Sequence, residues 1–287
     1  MRDKVYAVFT VSLACFFWSI SFSVSKILLK QVSPFELAFI RFLLAGIFSS
    51  LLFFPKIKRI PFKWEYHRPL FLAGLLGVTL YFVFENSGLK FTSASEAALL
   101  VGAFPIFGLV MEIFKEKKDP PLNRIIGIIL SFIGVILILG NTGINLKIQN
   151  LIGDFLVLLS GVSWVIYNWE IKKVNHKYPY EVITTFQLFY GTILFIPFLL
   201  FTGLRIPKGI ENILGIFYLA FFCSSFGYLL YNYGLKKLSV SQVVNLLNLV
   251  PLFGALWGII FLKETLGIFQ ILGGFLIIMG VSLTTWR

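Results

Sequence analysis

GLKFTSASEAALLVGAFPIFG, residues 88–108, and GLKKLSVSQVVNLLNLVPLFG, residues 234–254, are two versions of one line set 146 residues apart. The register runs well beyond them. Positions 81–141 laid on 227–287 without a gap give 18 identities in 61, among them Asn86/Asn232, Gly88/Gly234, Lys90/Lys236, Ser93/Ser239, Pro105/Pro251, Gly108/Gly254, Gly127/Gly273 and Gly134/Gly280. At the same offset Trp18 meets Trp164 and Lys26 meets Lys172. Shared apolar composition does not place Pro, Gly, Asn and Trp in a common register. The chain is two copies of one unit, with boundaries at 1–141 and 151–287.

What the unit is follows from hydrophobicity. Of 287 residues 58% are hydrophobic, more than a soluble domain carries, so lipid must solvate much of the surface. A helix crosses a bilayer with about 20 apolar residues. Ten segments qualify: 5–28, 35–54, 69–89, 95–114, 122–140, 152–171, 182–201, 212–233, 241–261 and 267–286. The connections between them are too short for a soluble domain. Residues 1–28 read as the first span rather than as a cleaved signal peptide, because the apolar run outlasts a signal core. The expected fold is an all-α membrane protein of ten transmembrane helices.

Five spans per copy is an odd number, so the second copy threads the bilayer in the opposite sense and corresponding loops face opposite sides. Their charges should then differ, and they do. The connection at 55–68 has five Lys and Arg, against two in its counterpart at 202–211. The additional Lys237 of the opening comparison belongs to the same pattern: its turn and that of Lys90 fall on opposite faces. With the N-terminus inside, one side holds 17 Lys and Arg and the other six, which places both termini in the cytoplasm by the positive-inside rule. The net charge of +12 is thereby an orientation signal for a multi-pass protein of the cell membrane, and nucleic acid is not an expected partner. Repeated hydrophobicity with alternating charge is the mark of inverted repeats.

Chemistry should concentrate where matched helices are interrupted. Pro105 and Pro251 lie about ten residues into their spans, near the midplane, where each removes a donor and frees the carbonyl of Val101 or Leu247. Such paired interruptions line a solute site in inverted-repeat transporters; used only for packing, they would be kinks. Asn245 and Asn248 share a helix face just before Pro251, and at that depth their amides need either a solute or a neighbouring helix as partner. Trp18, Ser21 and Phe22 on the first span and Trp164, Tyr167 and Asn168 on the sixth form two polar-aromatic stripes, which are solute walls or plain packing. Tyr81, Gly102, Tyr228 and Tyr231 complete the candidate substrate-binding set, on the spans expected to enclose the midplane site.

The ionisable residues that stand out at depth are Arg41, about two turns inside the second span, Glu85 in the outer third of the third, and Glu96 opening the fourth. A charge at the membrane centre costs about 2.5–3.5 kcal/mol on insertion scales, so such groups pair or line a path. Their repeat partners are the neutral Gln187, Tyr231 and Gln242. Arg41 is expected to pair with Glu85 or Glu96, either as a permanent ion pair near the headgroups or with one carboxylate taking up protons during transport. Lys26, Asp154 and Glu170, near span ends, should snorkel or cap. Cys15 and Cys223 are spaced for neither metal nor disulfide, and no cofactor is expected. The glycines of the fifth and tenth spans mark close packing, within one chain or in a homodimer.

FWSISFSVSK (17–26), SPFELAFIRF (33–42), GLKFTSASEAALLVGAFPIF (88–107), SWVIYNWEIKK (163–173), GLKKLSVSQVVNLLNLVPLF (234–253) and LKETLGIFQILGGFLIIMGVSL (262–283) together resemble the ten-helix EamA-type branch of the drug/metabolite transporter superfamily. The resemblance spans the whole chain. It departs at KEKKDPP (115–121), where a Gly-Glu-Arg-Leu-Thr-like turn is usual, and at Glu96, where a small or amide residue is usual. It implies export of small amphipathic metabolites, amino acids among the classes handled by such proteins, by alternating access with or without proton exchange. A lipid or lipid-linked headgroup flippase and a non-transporting structural protein are the alternatives. The sequence has no HExxH, GxSxG or Walker A pattern, and enzymatic function is not expected.

Overall fold

Hydrocarbon offers no hydrogen-bond partners, so an apolar chain crosses it as helices that satisfy their own backbone. The computed structural model describes residues 2–61, 63–117, 119–139, 147–262 and 267–286. Its ten spanning helices are α1 (Arg2–Leu28), α2 (Pro34–Ile57), α3 (Trp64–Phe91), α4 (Ala94–Lys115), α5 (Leu122–Leu139), α6 (Ile148–Val174), α7 (Tyr180–Phe201), α8 (Ile210–Lys237), α9 (Val240–Trp257) and α10 (Ile268–Trp286). Every expected span is present. Lys118, Lys263 and Arg287, which entered the charge count, lie outside the described residues.

The inversion can be read along α1. Near its C-terminal end, Lys26 Nζ donates to the carbonyls of Leu89 and Thr92, the latter at 2.7 Å, and so caps the end of α3. At its N-terminal end Asp3 pairs with Lys237 at 2.7 Å. These points are roughly 35 Å apart at 1.5 Å per residue. The turns bearing Lys90 and Lys237 therefore lie at opposite ends of the bundle. The repeat reproduces the cap upside down: Lys172 Nζ donates to the carbonyls of Leu235 at 2.9 Å and Leu238 at 2.5 Å. The first turns of α4 and α9 match too, each opened by a capping box, Ser93 with Glu96 and Ser239 with Gln242.

The glycines of α5 and α10 serve the interior of one chain. A Cβ at Gly127 would lie 2.6 Å from the Gly280 carbonyl, and one at Gly134 would lie 2.5 Å from that of Gly273. The backbones touch directly, a close approach that only glycine permits.

Several spans are interrupted, and two of the interruptions recur in both repeats. α4 breaks at Gly102–Ala103 and α9 at Leu247–Asn248, just before Pro105 and Pro251. At both breaks the backbone tightens, with Gly102 N–H bonding Leu99 O at 3.0 Å and Leu247 N–H bonding Val244 O at 3.1 Å. α3 contains a π segment at Leu75–Leu80, and α8 contains one at the matching place, Leu219–Phe226. α1 breaks at Ser19–Ile20, whereas its counterpart α6 is continuous.

Candidate functional site

A small cavity, with about 40 Å³ of room for water, lies where the breaks of α4 and α9 meet α1, α2, α3, α6 and α8. Its walls are Trp18, Ser21 and Phe22 from α1, Arg41 from α2, Tyr81, Phe82 and Glu85 from α3, Val101 from α4, Trp164 from α6, Tyr228 from α8, and Leu247 and Val250 from α9. Val101 and Leu247 are the residues whose carbonyls the two prolines release. Both prolines are themselves buried. The paired interruptions thus open onto one space.

Aromatic residues make up half of that wall. Trp18 and Trp164 meet edge-on with centroids 5.8 Å apart, and Trp164 also lies 4.9 Å from Tyr81, 5.6 Å from Tyr228 and 5.1 Å from Tyr231. The two tryptophans expected to face each other across the repeat axis do so. Ring contacts of this kind add about 0.5–1.5 kcal/mol each beyond area burial, which fixes the wall in place.

The two charged residues that line the cavity, Arg41 and Glu85, both come from the first repeat. Arg41, 2% exposed, has its guanidinium carbon 4.5 Å from the Phe82 ring centre and 5.2 Å from that of Phe42, and its Nε donates to Ser224 Oγ at 2.6 Å. The electron-rich ring faces offset part of the cost of burying the cation. Glu85, one helical turn after Tyr81 on α3, is buried and shares the cavity wall with Tyr81 and Arg41.

This arrangement corrects the expected ion pair. Arg41 binds a hydroxyl and two rings, and among the described residues no carboxylate lies within ion-pair distance of it. Glu96 does not reach it: its carboxylate accepts from Ser93 N–H at 3.0 Å and Thr92 Oγ1 at 2.8 Å, closing the N-terminus of α4. A carboxylate there also complements the positive end of the helix dipole. Gln242 plays the equivalent part on α9, accepting from Ser239 N–H at 3.0 Å.

The other predicted residues form two separate polar clusters. In the first, Tyr167 Oη donates to Asn232 Oδ1 at 2.7 Å and lies 3.0 Å from Gln187 Oε1, while Asn232 Nδ2 donates to Thr184 Oγ1 at 2.9 Å. Asn168 bonds the Trp164 carbonyl at 2.6 Å, and Trp164 Nε1 donates to Tyr231 Oη at 3.0 Å. All these polar side chains are buried. In the second, Ser131 of α5 donates to Asn245 Oδ1 at 2.7 Å, Asn245 donates to Thr284 of α10 at 3.0 Å, and Asn248 donates to Ser131 at 3.0 Å. Asn245 and Asn248 are fully buried and turned to neighbouring helices instead of the cavity. Gly102 likewise abuts Val135 of α5, where a Cβ would approach to 2.7 Å.

Sequence reasoning missed Phe82, Val250 and Ser224, and named Val101 and Leu247 only as the origin of the freed carbonyls. The repeat register carried a signal for Phe82, since it aligns with Tyr228. For Ser224 there was none, because its equivalent is Val78.

Comparison with known proteins agrees with this architecture. An uncharacterized transporter of Archaeoglobus fulgidus is 33% identical over 99% of this chain and 98% of its own. The uncharacterized transporter YyaM of Bacillus subtilis is 30% identical over 92% of this chain and 88% of its own. A protein of known crystal structure, 18% identical, superimposes with a TM-score of 0.80 over 97% of this chain and 96% of that one, a likeness of fold. The EamA-like transporter family profile matches residues 5–140 and 151–286, the two repeats in turn. The chain belongs to the EamA-like transporter family.

Proposed function

We propose that this transporter carries small amphipathic metabolites, neutral or zwitterionic and amino acids among them, outward across the cell membrane by alternating access, with both termini cytoplasmic. One observation carries the reading: the interrupted helices of both repeats meet at one aromatic-walled cavity near mid-membrane. An apolar body would stack against Trp18, Trp164, Tyr81 and Tyr228. Among the described residues Arg41 commits only its Nε to a protein acceptor, which leaves the rest of the guanidinium for an anionic end of the solute. Glu85, the cavity's carboxylate, is the proposed proton carrier, loading from outside as the solute leaves. Gly102, Pro105, Tyr167, Asn168, Tyr231, Asn245 and Asn248 then hold the walls from behind.

A lipid-headgroup flippase would need a polar path open to the side of the bundle. The groove of about 340 Å³ between α2 and α7 is walled by Phe39, Leu43, Ile47, Phe189, Ile193 and their neighbours, with no charged side chain. That favours the solute carrier.

The test is uptake of a pooled metabolite extract into proteoliposomes, read by mass spectrometry with and without a pH gradient. Selective accumulation of small amphipathic solutes is expected, lost in Trp164→Ala. Glu85→Gln should keep solute binding and lose the response to the gradient. Full gradient-driven uptake by Glu85→Gln would remove the proton assignment, and no selective uptake by the parent protein would remove the carrier reading.

A further inference from the structure

The two π segments are held differently. A π turn takes carbonyls out of the regular helical ladder and leaves them available to side chains. In α8 such a carbonyl, that of Cys223, accepts the indole N–H of Trp18 at 2.8 Å. The register partners of Cys223 and Trp18 are Gly77 and Trp164, so strict symmetry would put the Trp164 N–H on the Gly77 carbonyl. Instead the Tyr228 hydroxyl occupies that carbonyl at 2.5 Å, and Trp164 donates to Tyr231 at 3.0 Å.

Both seats are nonetheless built. The Trp18 seat exists because residue 227 is glycine: a Cβ there would lie 2.7 Å from the indole nitrogen. The Gly77 seat is already within reach of α6, since Ser163 donates to the adjoining Leu76 carbonyl at 2.8 Å and the Trp164 ring lies against Tyr228, the present occupant. Resting on the carrier reading above, the asymmetry has a direct meaning. When access switches between inverted repeats, each half takes up the arrangement of the other.

We infer that Trp18 and Trp164 are alternating latches on the two π-turn carbonyls. In the described state Trp18 holds Cys223 O and Trp164 rests on Tyr231. In the opposite state Tyr228 vacates Gly77 O, Trp164 takes it, and Trp18 moves to Glu85, the register partner of Tyr231. A carboxylate is a stronger acceptor than a phenol, so the solute-side acid becomes part of the switch.

The latch can be tested in the full chain with Cys15→Ala and Cys223→Ala, which keep the main-chain carbonyl, and with Ser21→Cys as a reporter on the cavity wall. A membrane-impermeant maleimide is applied from outside. Ser21, Arg41 and Glu85 lie toward the ends of α1, α2 and α3 that the charge pattern puts outside, so we take the described state as outward-facing. Trp18→Phe keeps the ring and removes the donor, and should then slow labelling about fivefold, the effect of losing one net hydrogen bond from that state. Tyr228→Phe should slow it in the same sense by vacating Gly77 O without touching Trp18. Combining Trp18→Phe with Trp164→Phe removes both latches and should return the rate toward the parent. Labelling at the parent rate in both Trp18→Phe and Tyr228→Phe, or a double variant as slow as Trp18→Phe alone, would overturn the inference. If the parent takes up solute and these variants label alike, only the latch fails. If no solute is taken up or protects the reporter, the carrier reading fails, and the latch fails with it.

Discussion

Two clusters related by the repeat make the informative comparison: Ser21, Phe22, Arg41, Tyr81 and Glu85 in the first half, and Tyr167, Asn168, Gln187, Gly227 and Tyr231 in the second. The backbones correspond, down to the matched π segments. The first cluster lines the cavity throughout. The second does not line it: Tyr167 is bonded to Asn232 and Gln187 at 2.7–3.0 Å, Tyr231 accepts from Trp164 at 3.0 Å and Asn168 donates to the Trp164 carbonyl. Asn168 Oδ1 and Gln187 Nε2 are buried without a partner among the described residues. Neutral polar groups in hydrocarbon close on themselves when partners are at hand. Arg41 is held by Ser224 and the rings of Phe42 and Phe82, and both Arg41 and Glu85 line the cavity.

Exchanging the residues that differ most in size should break this comparison most severely. Tyr81→Gly removes a ring packed 4.9 Å from Trp164 and 4.8 Å from Phe82, at an expected cost of about 3–5 kcal/mol. Gly227→Tyr forces a side chain into the Trp18 indole, since even a Cβ would lie 2.7 Å from its nitrogen, at a cost of about 3 kcal/mol. Thermal unfolding of the purified variants measures both. If either variant melts like the parent protein, the two clusters are interchangeable and the assigned asymmetry is wrong.

A smaller effect should separate closure from plain packing. Asn232 ties Tyr167 to Thr184, while its repeat partner Asn86 donates to the Pro34 carbonyl at 3.1 Å and joins α3 to the start of α2. Asn232→Leu and Asn86→Leu each remove a buried hydrogen-bonded amide and should each cost about 1–3 kcal/mol. Only Asn232→Leu should also slow labelling of Ser21→Cys from outside, by loosening the closed half. Equal labelling in the two variants would show that the inner network is structural alone.

How much of this was legible beforehand depended on whether a feature is periodic or positional. The ten spans, the inverted repeat and the aromatic pair Trp18 and Trp164 were readable, because hydrophobic length and a constant offset of 146 are properties of the string. The prolines were readable as interruptions, and Val101 and Leu247 do line the cavity. The direction of Asn245 and Asn248 was not, since a buried amide is equally satisfied by a solute or by Ser131 and Thr284, and only the packing of α5 and α10 decides. The π segments were invisible because one extra residue per turn leaves no compositional trace. The fate of Arg41 was misjudged for a related reason: the sequence showed two carboxylates but not the Phe82 ring beside it.

The smallest expected effect concerns the ends of α2 and α7, where the comparison should come out even. Glu36, in the first turn of α2, accepts from Arg205 beyond α7, with Arg205 N–H at 2.8 Å and Nε at 3.3 Å. Glu181, in the first turn of α7, pairs with Lys56 at the end of α2. The two pairs thus tie the same two helices together at opposite ends. Their cationic side chains are 71% and 49% exposed, so water and salt screen both. Arg205→Ala and Lys56→Ala should each cost less than about 1 kcal/mol, and less again in high salt. Neither should alter Ser21→Cys labelling, because both pairs are intact in the same state and neither can report which side is open. A selective change with Lys56→Ala alone would mean that the α7 end moves as a gate, and the boundary between the fixed and moving parts of the protein would have to be redrawn there.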